Sequence, residues 1–140
     1  MIAIDTNVLL RYLLADDEVQ YRKAVAIIKR HRPVLITDVA LVETVWTLTG
    51  KRYSLDKGAV CSVIRDLIGD SAFLFEDNQV IWSSLNNYEE SKPVRGKALD
   101  FADVLIANKA HFTAESRGDF LVAFYSFDGA VEQLKAAKKP

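Results

Sequence analysis

The feature that most constrains the fold is an alternation between short apolar segments and longer segments with helical periodicity. The short segments read as strands over residues 1–5, 34–36, 72–75 and 120–125. The longer segments predict helices over residues 8–14, 18–30, 39–49, 55–68, 77–91, 99–114 and 130–137. Strands that are apolar on both faces and are separated by helices are typical of a covered parallel sheet. The sequence therefore predicts an α/β fold around a short parallel sheet.

Length, composition and cysteine usage indicate one domain. The chain has 140 residues, of which 50% are hydrophobic and 26% are charged, so we expect a single domain over residues 1–140. Its one cysteine, Cys61, lies in an apolar stretch, where a buried position in a reducing compartment is expected. The first residues do not resemble a secretory signal, and no apolar stretch is long enough to span a bilayer. We therefore expect a cytoplasmic protein without a membrane partner.

The charge balance excludes one class of protein. A formal net charge of −1 does not suit a protein that coats nucleic acid through general positive charge. Basic residues do cluster within residues 22–32, 51–52 and 92–97. Such clusters are often solvated helix faces, although they also suit phosphate contacts, and both interpretations remain open.

Two aspartates stand at the ends of predicted strands. Asp5 ends the first strand and Asp128 follows the last. Sites in open parallel sheets form at the carboxyl ends of the strands, so these carboxylates would converge if the two strands were neighbours. An Asp between a strand and a helix is also a favoured N-cap. Capping uses only one carboxylate oxygen, so the two roles are compatible.

Two further acids lie in apolar surroundings. Glu43 shares a largely apolar helix face, and Ala40 at the position of a cap excludes a capping box for it. Asp103 falls inside an apolar arc of its helix, where a carboxylate must be paired, protonated or bound to a metal. Asp100 lies at the edge of that arc. It is either an early-turn residue favoured by the helix dipole or an additional ligand.

The type of these side chains indicates the type of metal. Carboxylates without accompanying Cys or His suit a hard cation such as Mg²⁺ or Mn²⁺. Zinc is disfavoured because His31 and His111 lack ligand spacing. The six glycines are scattered and form no phosphate-binding loop, which disfavours an NTPase. A carboxylate-held Mg²⁺ can activate water and stabilise charge on a phosphodiester.

At this point the chain resembles the PIN-domain family over essentially its whole length. The resemblance is carried by Ile4-Asp5-Thr6-Asn7-Val8-Leu9, by Glu43 in Val42-Glu43-Thr44-Val45-Trp46, by Asp103 in the segment 100–107, and by Ser126-Phe127-Asp128. The family's last motif is commonly Thr-Phe-Asp, so Ser126 departs from it while retaining the hydroxyl. Chains this short look most like the VapC-like toxins of VapBC toxin–antitoxin pairs.

The resemblance implies a three-layer α/β/α sandwich and a ribonuclease activity. It implies a catalytic Mg²⁺ or Mn²⁺ site made of Asp5, Glu43, Asp103 and Asp128, with Asp100 as a further candidate ligand. Thr6, Asn7 and Ser126 would support this site through hydrogen bonds. RNA would be cleaved by a metal-activated water, and Arg11, Arg22, Lys51 or Arg52 would hold its backbone. The implied assembly is a homodimer that a VapB-like antitoxin inhibits.

Two other classes of protein compete with this one: a binding module, and a different Mg²⁺-dependent protein on a doubly wound sheet, either a phosphatase or a phosphoacceptor receiver domain. A PIN-like module could bind RNA or a protein partner without cleaving, although the presence of all four acids argues against it. A Mg²⁺-dependent phosphatase would want a second acid two residues after Asp5, where Asn7 stands. A phosphoacceptor receiver domain would want a lysine after the last strand, where Asp128 and Gly129 stand.

Overall fold

The central strand of the main sheet is β2 (Val34–Ile36), which pairs in parallel with β1 (Ile2–Ala3) and with β3 (Phe73–Phe75). Val34 and Ile36 are completely buried, as expected for a parallel strand that is covered on both faces. The structure, a computed structural model, describes residues 1–140. Its internal contacts define two units, Met1–Asn78 and Gln79–Pro140.

Four helices accompany the sheet in the first unit. They are α1 (Thr6–Leu14), α2 (Glu18–Arg30), α3 (Asp38–Thr49) and α4 (Lys57–Gly69). Each begins after a capping residue, respectively Asp5, Asp17, Thr37 and Asp56, whose side chain accepts a hydrogen bond from the first turn. Because these caps and the apolar periodicity are both local signals, every predicted helix bound in this unit lies within two residues of the observed one.

The second unit contains two long helices and a small sheet. Helix α5 (Asn78–Glu90) begins at the boundary between the units, and α6 (Phe101–Ser116) begins after the N-cap Asp100. Strand β4 (Phe124–Tyr125), a 3₁₀ helix (Gly129–Gln133) and β5 (Ala137–Lys138) follow. Strands β4 and β5 pair in parallel as a separate two-stranded sheet.

The end of the chain differs from its predicted structure. The strand predicted over residues 120–125 is limited to β4, and Phe120 and Val122 are exposed. The helix predicted over residues 130–137 is instead a 3₁₀ helix that gives way to β5, after a left-handed turn at Ala136. The backbone of β4 needs hydrogen-bond partners, and residues 136–138 supply them. Long-range pairing therefore overrides the local helix preference.

Burial corrects one predicted helix face and confirms another feature. The apolar periodicity of α2 predicts a buried side made of Val19, Ala24, Ile27 and Ile28. Ala24 and Ile28 are buried, whereas Val19 and Ile27 are exposed. The buried stripe of this surface helix therefore includes only some of its apolar residues. Cys61 is buried and forms no disulfide, as predicted. No helix combines the length and the apolar character that crossing a membrane would need.

Candidate active site

Asp5 stands where β1 gives way to α1. Its backbone is extended and its Oδ1 accepts a hydrogen bond of 2.9 Å from the amide of Val8, so it caps the helix. Both roles anticipated for this residue remain compatible, because the cap engages only Oδ1. The carboxylate is exposed and lines a cavity, so its second oxygen, Oδ2, is available for chemistry there.

Thr6 connects the start of α1 to α3. Its Oγ1 donates a hydrogen bond of 2.7 Å to Oε2 of Glu43. Asp5, Thr6, Asn7 and Glu43 all line one cavity of about 510 Å³ in the first unit. The structure thus brings together two of the predicted acids and two of the predicted supporting residues.

The same cavity is also lined by basic and aromatic side chains. Arg11, Arg52, Tyr53 and Trp46 contribute to its wall. Of the four basic residues considered from sequence, Arg11 and Arg52 line the cavity. Lys51 does not, and Arg22 pairs with Glu18 within α2.

In the second unit, a group of acids surrounds the start of α6. Asp103 is half-buried in the first turn of this helix. Its burial raises the pKa of its carboxyl, and repulsion from Asp100 and Asp128 raises that pKa further, against a smaller opposing effect of Lys97. Asp100 and Asp128 therefore lie close enough to Asp103 to disfavour its charged form.

Asp128 is held by three groups. Lys97 Nζ lies 2.9 Å from its Oδ2, and the amide of Ala130 donates to its Oδ1 over 2.9 Å. These contacts, with that of Lys97 the larger, lower the pKa of the Asp128 carboxyl. The Asp128 amide donates in turn to Oγ of Ser126 over 3.0 Å. Ser126, which stands where threonine is commoner, thus fixes the backbone of Asp128 through the hydroxyl that the two residue types share.

The predicted site residues consequently form two groups, each within one unit. Asp5, Thr6, Asn7 and Glu43 lie in the first, and Asp100, Asp103, Ser126 and Asp128 in the second. No three His, Cys, Asp or Glu side chains are arranged as a metal-binding group. The donor chemistry nevertheless fits Mg²⁺, since these acids offer oxygen ligands and the raised pKa of Asp103 records repulsion that a cation would relieve.

Sequence reasoning missed two side chains. Lys97 belongs to a basic cluster in the sequence, which does not distinguish it. The signal that could have indicated proximity to the acids is its position three residues before Asp100. From sequence, Trp46 is expected only to contribute to the apolar face of α3. It is 53% exposed, and an exposed Trp three residues after a candidate catalytic Glu is a signal for a binding surface.

Comparison with known proteins assigns the class of protein. Residues 2–133 match the PIN domain family, and the chain belongs to this family. The predicted PIN-like α/β fold is thereby confirmed. PIN domains are generally nucleases that use divalent metals such as Mg²⁺. Searches of curated proteins and of solved structures returned no match.

Proposed function

We propose that this chain is a Mg²⁺- or Mn²⁺-dependent endoribonuclease that hydrolyses RNA phosphodiester bonds as the toxin of a VapBC-type pair. The observation that carries the proposal is the Thr6–Glu43 hydrogen bond. This bond ties the Glu43 carboxylate to the residue after Asp5. Both acids line one cavity, and two arginines line it with them. Carboxylates suit the metal and guanidinium groups suit the RNA backbone, which together favour a nuclease over a phosphatase.

The proposed ligands are the acids that both the sequence and the family suggest. They are Asp5, Glu43, Asp103 and Asp128, with Asp100 as an additional candidate. A divalent ion bound by them supplies Lewis-acid activation of water and neutralises charge on the phosphodiester. Thr6 orients Glu43 through its hydroxyl, and Ser126 fixes the backbone of Asp128. Asn7 lines the cavity beside Asp5, where its amide group is available to the substrate.

The proposal also covers assembly and setting. The two units act as one domain over residues 1–140, which is supported by a family match that extends from residue 2 to residue 133. The protein works in the cytoplasm as a homodimer that a VapB-like antitoxin inhibits. Light scattering of the purified protein tests the dimer directly. Co-purification with the product of an adjacent gene, and loss of cleavage in that complex, tests the antitoxin.

The decisive experiment is cleavage of labelled total RNA with Mg²⁺, with Mn²⁺ and with excess EDTA, alongside Asp5→Asn. Discrete fragments that require metal and disappear in the variant support the proposal. Cleavage that persists in Asp5→Asn would show that Asp5 is not a residue of the active site. Inactivity on RNA with turnover of a generic phosphomonoester would favour a phosphatase, and RNA binding without cleavage would favour a binding module. Induced expression in a bacterial host tests the toxin role, since wild type should arrest growth and Asp5→Asn should not.

A further inference from the structure

The cavity that contains Asp5 and Glu43 is electrostatically polarised. Its lining includes two acids, Asp5 and Glu43, and two basic residues, Arg11 and Arg52. Arg11 lies six residues after Asp5 on the same chain segment, which corresponds to roughly 9 Å along a helix. The cavity thus offers one region for a cation and a separate region for an anion.

Asp16 holds the basic region together. Arg11 Nη1 lies 3.0 Å from its Oδ1, Arg52 Nη2 lies 3.8 Å from its Oδ2, and the hydroxyl of Tyr53 donates to Oδ2 over 3.2 Å. The Arg52 guanidinium also lies 5.2 Å from the centre of the Tyr53 ring. Two guanidinium groups face one carboxylate, so a net positive charge remains. Each guanidinium has five N–H donors, which leaves several for another anion.

Trp46 adds an exposed aromatic surface to the same cavity. It lies on α3 three residues after Glu43, so the two side chains share a helix face, and both line the cavity. Its side chain is 53% exposed, although tryptophan is a large apolar residue. Basic groups that follow a backbone, combined with an exposed aromatic ring, are the features by which proteins hold single-stranded nucleic acid.

We propose that Arg11, Arg52 and Tyr53 form a subsite for a phosphate neighbouring the scissile one, and that Trp46 stacks on an adjacent base of single-stranded RNA. Asp16 is a positioning residue that keeps the two arginines directed into the cavity. The inference rests on the proposed function, since it takes RNA as the substrate. It adds which residues beside the two acids hold the RNA, and contact with Trp46 requires an unstacked base.

The phosphate contact is tested by the salt dependence of binding. The probe is a fluorescein-labelled, short single-stranded oligoadenylate, measured by anisotropy with Asp5→Asn protein in EDTA so that the RNA stays intact. Each phosphate contact with single-stranded nucleic acid contributes about 0.7 to the slope of log K against log salt. Arg52→Gln should therefore reduce the slope by about 0.7. Arg65→Gln, the matched control, removes the same charge from an exposed position on α4 outside the cavity wall and should leave the slope unchanged.

The stacking contact is tested by a pair of tryptophans. Trp46→Ala should weaken oligoadenylate binding roughly 5- to 150-fold, the range for loss of one base–aromatic stack, and Trp46→Phe should retain most of the affinity. Trp82→Ala is the control, because Trp82 is also exposed, at 41%, but lies on α5. A duplex of the same length should bind more weakly than the single strand and should be insensitive to Trp46→Ala. Circular dichroism establishes that each variant is folded.

The outcomes separate this inference from the proposed function. Equal slopes for Arg52→Gln and Arg65→Gln, or unchanged binding by Trp46→Ala, would overturn the subsite and make an acidic peptide the better occupant of the cavity. Failure of the wild type to cleave RNA, with the expected binding differences intact, would overturn only the nuclease activity. Differences in binding that match the two variants and their controls support the subsite.

Discussion

Thr6 Oγ1 lies 2.7 Å from Glu43 Oε2, which joins the first residue of α1 to the middle of α3. The contact bridges 37 positions of sequence and leaves one carboxylate oxygen of Glu43, Oε1, outside the bond. A hydrogen bond to one oxygen of a carboxylate fixes the direction in which the other points. Partners of this kind orient metal ligands in proteins, so the proposed role of Glu43 depends on the hydroxyl of Thr6.

Removal of that hydroxyl should reduce activity while leaving the fold intact. Thr6→Val keeps the shape of the side chain, and we expect it to lower the cleavage rate or the Mg²⁺ affinity about 10- to 100-fold. Thr6→Ser restores a donor at the same position and should recover most of the activity. Cleavage assays over a range of Mg²⁺ concentrations give both quantities. Equal activity of the valine and serine variants would mean that Glu43 does not need this bond.

The two roles of Asp5 should separate by substitution. Asn caps helices about as well as Asp, whereas loss of the cap to Ala costs about 1 kcal/mol. Asp5→Asn should therefore abolish cleavage at nearly unchanged stability, and Asp5→Ala should abolish cleavage and also destabilise the protein by about 1 kcal/mol. Urea denaturation measures the free energy of unfolding for both.

Asp17 provides the matched control for this comparison. It caps α2 through a 3.0 Å hydrogen bond from the Gln20 amide and belongs to neither group of site residues. Asp17→Ala should lose a similar stability but retain cleavage. If Asp17→Ala were as inactive as Asp5→Ala, loss of activity would reflect loss of a helix cap rather than loss of a ligand.

Local signals explain what the sequence could predict. The sequence marks the start of α1 by an acid between an apolar strand and an apolar helix. Asp5 does lie between β1 and α1, and it caps the helix. Glu43 was singled out because no local partner accounted for it. The sequence also predicts a supporting role for its partner, Thr6, but their hydrogen bond depends on how α1 and α3 pack, which no local pattern encodes.

Long-range pairing explains what the sequence could not predict. Residues 134–138 have good helix formers, yet they end as β5 because β4 needs a partner. Lys97 illustrates the same limit at the site. It lies 31 positions before Asp128, and only the folded loop before α6 brings the ammonium group to 2.9 Å from that carboxylate.

Lys97 should compete with the metal for Asp128. If Asp128 is a ligand, as proposed, Lys97→Met removes a cation from its Oδ2 and should lower the Mg²⁺ concentration for half-maximal cleavage, by at most about fivefold because Lys97 is 67% exposed. Lys92→Met, an exposed lysine of the same loop, is the control and should have no effect. A higher Mg²⁺ requirement in Lys97→Met would contradict competition and indicate that Lys97 positions Asp128 for binding.

The raised pKa of Asp103 predicts a pH-dependent cost in stability. Because burial and repulsion raise its pKa above the ordinary value of 3.8, the folded state holds the Asp103 proton more tightly than the unfolded state. Stability in EDTA is therefore lost as the pH rises from 3.8 through the raised value. Asp103→Asn removes this loss, so the variant should melt at a higher temperature than wild type at neutral pH, and the difference should shrink below pH 3.8.

Thermal denaturation at both pH values, with and without Mg²⁺, measures this effect. A bound cation would relieve the same repulsion, so Mg²⁺ should raise the melting temperature of wild type more than that of Asp103→Asn at neutral pH. Asp66→Asn, which removes an exposed carboxyl from α4, controls for the change in net charge. A neutral-pH gain of equal size in Asp66→Asn would assign the effect to net charge. An unchanged melting temperature in Asp103→Asn would show that repulsion from Asp100 and Asp128 does not destabilise the folded protein. The expected pattern, stabilisation together with loss of cleavage, is that of a carboxylate kept at a cost in stability because the reaction needs its charge.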